Sequence, residues 1–277
     1  MIGCGDDMFK PLPLAQIELI AVDLDGTLLR RDSSLSGKSL DAVRQAKKKG
    51  IRIIVASTRP PRSALKFYQA MDLDTWQINH NGALIYDQVN KNSIDHQPIE
   101  GPIAQRVMHL DRQVVPDIPI GIEVIDTLYT DRVGYDPNAS HAGVTDTSGS
   151  VEAVLQHPVT KIFMTGNTQQ LADIQMILQQ KLLGKMNFAI SHQRLLKVVG
   201  PHVNKVHALQ KVAAHYGIPR ERVMAIGDVP NDLEMMKWAG LGIAVKNGWA
   251  DVRSEAHFVV PSNDDDGVAQ AIIKYAL

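Results

Sequence analysis

The sequence predicts an α/β fold: a doubly wound parallel sheet that carries an inserted α+β segment. At both ends of the chain, short and almost wholly apolar strands alternate with amphipathic helices, which is typical of a parallel sheet covered by helices on both faces. The middle of the chain instead places consecutive strands between helices, which is typical of antiparallel pairing. The chain has 277 residues, and at ~150 residues per domain this length favours two domains.

The elements at the two ends of the chain justify the parallel sheet. An apolar strand over residues 17–24 precedes a helix over 36–49, in which Ser36 can cap the first turn and lysines near the end suit the helix dipole. A second strand follows over 51–56, and the Pro60–Pro61 pair then opens another helix. The same alternation returns late in the chain, in strands and helices over residues 222–226, 231–238, 241–245 and 265–275.

The middle of the chain groups its elements differently. We expect two helices and five strands there, over residues 103–113 and 168–183 and over 120–125, 127–133, 160–164, 186–190 and 195–199. Strands that follow one another directly pair in antiparallel fashion. We therefore assign residues 1–84 and 199–277 to a Rossmann-like core and residues 85–198 to an inserted α+β domain.

Composition excludes several classes of protein. The formal net charge of −1 argues against bulk electrostatic binding to nucleic acid or to an anionic membrane. Cys4 is the only cysteine, so no disulfide can form within the chain. Residues 1–16 do not have the pattern of a signal peptide, and no stretch reaches the ~18 apolar residues of a membrane-spanning helix. We expect a cytoplasmic protein with neither nucleic-acid nor membrane partners, and the sequence leaves its oligomeric state open.

Acidic residues follow the first predicted strand. Asp23 and Asp25 come at its end and are followed by Gly26, which lets the backbone turn away sharply. Residues two apart in a strand face the same side, and the carboxyl ends of parallel strands line the ligand crevice. The structural alternative is a simple Asp-Gly turn.

Two further strands end in polar residues. Asp228, Asn231 and Asp232 follow the strand over 222–226, where Asp228 or Asn231 could instead cap a helix. The strand over 51–56 ends in Ser57-Thr58-Arg59. Their hydroxyls and guanidinium group could hold an oxyanion such as phosphate, or could simply cap the helix that follows.

Convergence of these strand ends would bring together the carboxylates of Asp23, Asp25, Asp228 and Asp232. Two carboxylates ~5 Å apart repel by about 3 kcal/mol at an effective dielectric of about 20, so the group needs a cation. Oxygen ligands without cysteine or a histidine cluster favour Mg²⁺, which commonly shares its shell with a substrate phosphate.

The whole set of motifs resembles that of the haloacid dehalogenase superfamily. In order, the motifs are Asp23-x-Asp25-Gly26-Thr27, Ser57, Lys205 and Gly227-Asp228-x-x-Asn231-Asp232. The insert lies between the second and third motifs and resembles the C2 cap of Cof-type phosphatases. The resemblance implies that Asp23 is the nucleophile and Asp25 the general acid and base. It also implies that the Asp23 carboxylate, the Asp25 carbonyl and Asp228 bind Mg²⁺, with support from Asp232.

The resemblance assigns the phosphoryl group to Ser57, Lys205 and Asn231. By composition alone, Lys205 would be a surface lysine at the start of a helix. Ser57 and Thr58 replace the more usual Thr and Gly of the second motif, and the bulk of Thr58 could alter leaving-group preference. Arg59 could contact substrate or pair with a nearby acid, and the sequence does not separate these roles.

The implied activity is Mg²⁺-dependent phosphatase chemistry on a small phosphorylated metabolite, such as a sugar phosphate or a phosphorylated cofactor, through an aspartyl-phosphate on Asp23. Two alternatives stay open: a phosphomutase or phosphotransferase that uses the same Asp23, and a non-catalytic protein that binds a phosphorylated ligand. The cap would select the substrate, and Asp131, His141 and the loop over 134–150 are its candidate residues.

Overall fold

The computed structural model describes residues 16–131, 146–147, 151–191 and 194–277. The chain divides into two compact units. The first runs to Ala21 and continues over Gly26–Ile53 and Ala213–Leu277; the second contains Val22–Asp25 and Ile54–Val212. Within the described ranges, no helix is both long enough and apolar enough to cross a membrane.

The first unit is built on a five-stranded sheet. In spatial order its strands are β14 (Phe258–Val260), β13 (Leu241–Val245), β12 (Val223–Gly227), β1 (Leu19–Val22) and β2 (Arg52–Val55). β12, β13 and β14 pair in parallel. The N–H of Arg52 donates to Glu18 O, and the N–H of Ala56 donates to Val22 O, so β1 and β2 also run in the same direction. The predicted parallel sheet is confirmed.

Helices of the first unit pack against this sheet and against one another. They are α1 (Gly37–Lys48), α7 (Leu233–Trp238), α8 (Ala250–Glu255) and α9 (Gly267–Tyr275). α1 packs on α9, and α7 packs on β12 and β13. The expected cap of α1 is present, because Ser36 Oγ accepts the N–H of Ser39 at 3.0 Å. β14 and α8 were not predicted.

The second unit contains a six-stranded sheet. Its spatial order is β10 (Asn187–Ser191), β11 (Leu195–Val199), β9 (Lys161–Thr165), β6 (Ile120–Val124), β7 (Thr127–Thr130) and β8 (Asp146–Thr147). Neighbours pair antiparallel except β7 and β8. One face packs on α3 (Gly101–Val114) and α5 (Thr168–Lys181) in a shared apolar core, and the short helix α4 (Val151–Val154) lies in the same unit. The expected antiparallel strands and both expected helices are therefore confirmed.

A smaller antiparallel sheet completes the second unit. It consists of β3 (Gln77–Asn79), β4 (Leu84–Asp87) and β5 (Asn92–His96), none of which was predicted. α2 (Pro61–Ala70) begins at its proline as expected. α6 (Lys205–His215) begins in the second unit and ends in the first.

The predicted limits of the insert do not coincide with the division into units. The second unit contains all of residues 85–198 together with parts of the predicted core. The first limit, after residue 84, falls at the first residue of β4, and the second, after residue 198, falls just before the last residue of β11. The insert over 85–198 stays a prediction.

Candidate active site

The order of the parallel sheet reverses at β1 and β12. The chain passes from β1 to β2 on one side and later adds β12, β13 and β14 on the other. In open parallel sheets, ligands bind at the carboxyl ends of the strands beside such a reversal. Asp23 directly follows β1 and Asp228 directly follows β12, so two predicted site residues follow the strands that flank this position.

Asp23 and Lys205 form a buried ion pair. Lys205 Nζ donates to Asp23 Oδ1 at 2.5 Å, and the lysine side chain is 0% exposed. A buried ammonium group is costly unless it is paired with an anion and hydrogen-bonded. Lys205 is therefore not a surface lysine, and the first and third motifs meet in the second unit.

Asp25 is held by Arg59. Arg59 Nε donates to Asp25 Oδ2 at 2.8 Å and Arg59 Nη2 donates to Asp25 Oδ1 at 2.6 Å. The guanidinium side chain is 2% exposed, whereas the Asp25 side chain is 44% exposed. Arg59 is fixed in turn because its carbonyl accepts a bond from Asn79 Nδ2 at 3.2 Å. A two-bond contact of this kind fixes the orientation of the carboxylate as well as its position.

Ser57 lies buried at the end of β2, and Thr58 is half-buried. Ser57 Oγ accepts the N–H of Arg59 at 3.2 Å, but α2 begins at Pro61 without a side-chain cap from its N-cap position, so the capping alternative for this residue is wrong. A hydroxyl that accepts one bond keeps its own proton to donate. Ser57 therefore stabilises the turn and can still donate to a phosphoryl oxygen.

The fourth motif forms a tight turn in the first unit. Asp232 is fully buried, and its Oδ2 accepts the N–H groups of Asp228 and Val229 at 3.1 and 3.2 Å. Thr27 Oγ1 donates to Asp228 Oδ1 at 2.6 Å. Gly26 has a φ of +85°, and a Cβ there would lie 2.5 Å from Asp228 Oδ2. The first motif therefore needs glycine at this position to leave room for Asp228.

The start of α7 differs from the expectation. Asn231 was expected to begin the helix, but it lies in a single turn of 3-10 helix, Pro230–Asp232, and α7 begins at Leu233. Asn231 is half-buried, and it precedes the first residue of the helix by two positions. Its predicted contact with phosphate stays a prediction.

The predicted metal ligands are carboxylates in both units. Asp23 is buried in the second unit, and Asp228 and Asp232 are buried in the first. The donors are all carboxylate oxygens, which fit Mg²⁺ and not a metal that prefers sulfur or imidazole. The Asp25 carboxylate bonds Arg59 through both oxygens, so only the carbonyl of Asp25 stays a predicted ligand.

The candidate cap residues are only partly described. Asp131 Oδ2 accepts a bond from Arg112 Nη2 at 2.8 Å, and Asp131 Oδ1 accepts the N–H of Ile120 at 3.0 Å. Asp131 therefore holds together α3 and the start of β6. His141 and the loop over 134–150, apart from residues 146 and 147, lie outside the described residues.

We did not predict from the sequence a buried charged cluster of Arg62, Glu123 and Asp126. Glu123 is 0% exposed and accepts two bonds from the Arg62 guanidinium group, both at 2.9 Å. Asp126 Oδ1 accepts the backbone N–H of Arg62 at 2.7 Å. Burial acts to raise the pKa of Glu123, but the charges of Lys161 and Arg62 bring that pKa below its usual value. A glutamate in the otherwise apolar run 120–124 was the available signal.

The turn next to this cluster is strained and well bonded. Ile125 has a φ of +56°, a left-handed conformation that a β-branched residue rarely adopts. Its N–H donates to Thr160 Oγ1 at 2.7 Å, and its carbonyl lies 2.8 Å from His80 Nε2. Burial, and next the charge of Lys161, lower the pKa of His80 to about 3. His80 is therefore neutral, and its Nε2 carries the proton that Ile125 O accepts.

Comparison with known proteins agrees with this geometry. The family model described as haloacid dehalogenase-like hydrolase matches residues 20–272. The 5-amino-6-(5-phospho-D-ribitylamino)uracil phosphatase YitU of Bacillus subtilis (strain 168) is 30% identical over 93% of this chain and 97% of its own. The pyridoxal phosphate phosphatase YbhA of Escherichia coli (strain K12) is 27% identical over 94% and 98%.

A solved structure shows the same fold. The crystal structure of a haloacid dehalogenase-like hydrolase from Bacteroides thetaiotaomicron has a TM-score of 0.84 and 26% identity, over 94% of this chain and 99% of that one. The family model alone spans most of the chain, and the relatives cover nearly its whole length. The chain belongs to the family of haloacid dehalogenase-like hydrolases, and it is a phosphatase of that family.

Proposed function

We propose that this phosphatase hydrolyses small phosphorylated metabolites in a Mg²⁺-dependent reaction that passes through an aspartyl-phosphate on Asp23. The observation that carries the proposal is the buried pair of Asp23 and Lys205 at the end of β1. Relatives support the substrate class, because YitU and YbhA are named for a phosphorylated ribitylaminouracil and for pyridoxal phosphate. The cytoplasm stays the predicted location, and residues 85–198 the proposed cap.

The proposed reaction has two steps that use neighbouring carboxylates. A carboxylate oxygen of Asp23 attacks phosphorus, the ester P–O bond breaks, and Asp25 gives a proton to the leaving oxygen. Asp25 then takes a proton from water as this water attacks the aspartyl-phosphate, and inorganic phosphate leaves. Lys205, Ser57 and Asn231 would hold the phosphoryl oxygens during both steps.

Asp23, Asp228 and Asp232, with the carbonyl of Asp25, are the groups that would hold Mg²⁺. When bound, the ion offsets the negative charge that the phosphoryl group and the carboxylates bring to one place. Lys205 supplies a fixed positive charge at Asp23 in addition. Its ammonium group lowers the repulsion that an incoming phosphate meets.

Removal of divalent metal tests the proposal. Phosphate release is measured from sugar phosphates, nucleotides and phosphorylated cofactors, with Mg²⁺ and with EDTA. We expect EDTA to lower release by about 100-fold or more and added Mg²⁺ to restore it. Release that persists after exhaustive chelation contradicts the metal assignment. Transfer to a sugar hydroxyl in place of release indicates a phosphotransferase.

Arg59 is expected to act by positioning Asp25. Because its guanidinium group holds both oxygens of the Asp25 carboxylate, Arg59→Met should lower kcat by roughly 10–100-fold through misplacement of the proton donor. KM should change little, and Arg59→Lys should restore part of kcat. Steady-state phosphate release separates the two constants. A raised KM at unchanged kcat shows instead that Arg59 binds substrate.

A further inference from the structure

The first turn of α2 is capped by a residue from a distant part of the chain. α2 begins at Pro61, and Pro60 before it makes no side-chain cap. The N–H groups at the start of a helix have no partner within that helix. Asp126, in the turn between β6 and β7, accepts the N–H of Arg62 on Oδ1 at 2.7 Å. Asp126 therefore takes the part of an N-cap residue, which usually comes from the adjacent position.

The side chain of Arg62 is held by the same hairpin. Glu123 on β6 accepts two bonds from the Arg62 guanidinium group, both at 2.9 Å. Asp126 Oδ1 lies 3.4 Å from Arg62 Nη1. The backbone and the side chain of Arg62 are thus both fixed by β6 and the turn that follows it.

The turn between β6 and β7 also reaches Arg59 by a second path. Ile125 O lies 2.8 Å from His80 Nε2, and the backbone N–H of His80 donates to Arg59 O at 3.1 Å. Asn79 Nδ2 donates to the same carbonyl at 3.2 Å. Contacts with one turn therefore hold Arg59 on one side and Arg62, three residues later, on the other.

Arg59 passes this order on to Asp25. Pro60 and Pro61 follow Arg59, and their rings fix the backbone φ angles between Arg59 and the helix. The Arg59 guanidinium group lies against α2, 5.2 Å from the centre of the Phe67 ring, and holds both oxygens of the Asp25 carboxylate. A displaced first turn of α2 would therefore move the group that orients Asp25.

We propose that Asp126 is a positioning residue for proton transfer: by capping α2 it fixes Arg59, and through Arg59 it aims the Asp25 carboxylate at the leaving oxygen. The proposal rests on the proposed function, which makes Asp25 the proton donor. All three residues belong to the second unit. Because Asp126 lies within the predicted insert over 85–198, the insert would contribute to the chemical step as well as to substrate selection.

Two esters that differ in their leaving oxygen test the proposal. Glycerol 3-phosphate releases an alkoxide that needs a proton as the ester bond breaks, whereas p-nitrophenyl phosphate releases a phenolate that does not. For Asp126→Ala, kcat/KM for glycerol 3-phosphate should fall by about 10–100-fold, as expected for a misplaced proton donor. For p-nitrophenyl phosphate, kcat/KM should change by less than about threefold. This constant includes departure of the alcohol, which is the step that Asp25 assists.

Matched variants separate positioning from stability. Asp126→Asn keeps an oxygen for the N–H of Arg62, and asparagine caps helices as well as aspartate does, so it should restore most of the rate on glycerol 3-phosphate. Asn167→Ala removes the cap of α5, where Asn167 Oδ1 accepts the N–H of Gln170 at 2.9 Å. This variant loses a helix cap in the same unit, and the ratio of the two kcat/KM values should stay as in the wild type.

Two results overturn the proposal. If Asp126→Ala changes kcat/KM equally for both esters, Asp126 acts on the fold or on chemistry that does not involve the proton. If Asp126→Asn is as slow on glycerol 3-phosphate as Asp126→Ala, the bond to the N–H of Arg62 is not what matters.

A measurement on Arg59 itself separates this proposal from the proposed function. The Nε–H of Arg59 donates to Asp25 Oδ2, and NMR can follow its exchange with water. In Asp126→Ala this exchange should be faster by about 10-fold or more, because the contact opens more easily. If exchange is faster but the wild type releases no phosphate from either ester, the proposed function fails and the positioning role of Asp126 stands. If phosphate is released but neither exchange nor the ratio changes, Asp126 does not position Asp25.

Discussion

Replacement of Asp23 by asparagine is expected to abolish phosphate release. The amide cannot form the aspartyl-phosphate, so kcat should fall by about 10⁴-fold or more, as for other enzymes that lose their nucleophile. Lys205 donates to Asp23 Oδ1, and the asparagine carbonyl can still accept that bond. The geometry around the phosphoryl group should therefore be kept. Phosphate release, measured under single-turnover conditions, reports the chemical step directly.

The stability of Asp23→Asn has to be measured as a control. Loss of one partner of a buried ion pair can cost about 3–5 kcal/mol of unfolding free energy, so inactivity has to be separated from unfolding. Thermal unfolding of Asp23→Asn should still be cooperative. Asp264→Asn removes an exposed acid whose ion pair with Arg31 has a long separation of 3.7 Å, and it should keep full activity. Turnover near the wild-type rate in Asp23→Asn would refute the covalent mechanism.

Replacement of Glu123 by alanine is expected to cause a large loss of stability. Glu123 is fully buried and bonds Arg62 twice. Among the described residues, its removal leaves the largely buried guanidinium group with the 3.4 Å contact to Asp126 as its remaining ion pair. An uncompensated buried charge of this kind costs about 3–5 kcal/mol. Urea unfolding measures the effect as a lower midpoint at an unchanged slope.

Two further variants test whether the uncompensated charge of Arg62 causes this loss of stability. The double variant Glu123→Leu with Arg62→Leu removes both charges and should be far less destabilised than Glu123→Ala, because no buried charge is left alone. Glu221→Ala removes an exposed acid that lies 3.6 Å from Arg220, and it should change stability by less than about 1 kcal/mol. If Glu123→Ala and Glu221→Ala are equally stable, the Glu123–Arg62 pair contributes nothing.

Local signals in the sequence predict much of the fold. The cap at Ser36 and the start of α2 at Pro61 are properties of a few consecutive residues, and both are present. Long apolar runs likewise predict the strands of the parallel sheet. β3 and β5 escaped prediction because their sequences, QIN and NSIDH, are short and mostly polar. Without a run of apolar residues, such strands look like loops.

The site residues also differ in whether local sequence predicts them. The carboxylates could be identified because each follows an apolar strand. The contacts of Arg59 and Arg62 could not, because their partners Asp25 and Glu123 are far away in the chain. No local sequence pattern predicts which acidic residue pairs with a given arginine. The burial of Lys205 is a tertiary effect of the same kind, and only the family resemblance pointed to it.

The buried ring of His80 has a consequence for how the enzyme responds to pH. Its pKa of about 3 lies below the ~6.5 of an unfolded histidine, so protonation favours the unfolded chain. The stability that it contributes is therefore present above about pH 6.5 and is lost as the pH falls towards 3. Between pH 6 and 8 the His80 imidazole stays neutral and keeps its proton on Nε2. Any change of rate in that interval originates in other groups.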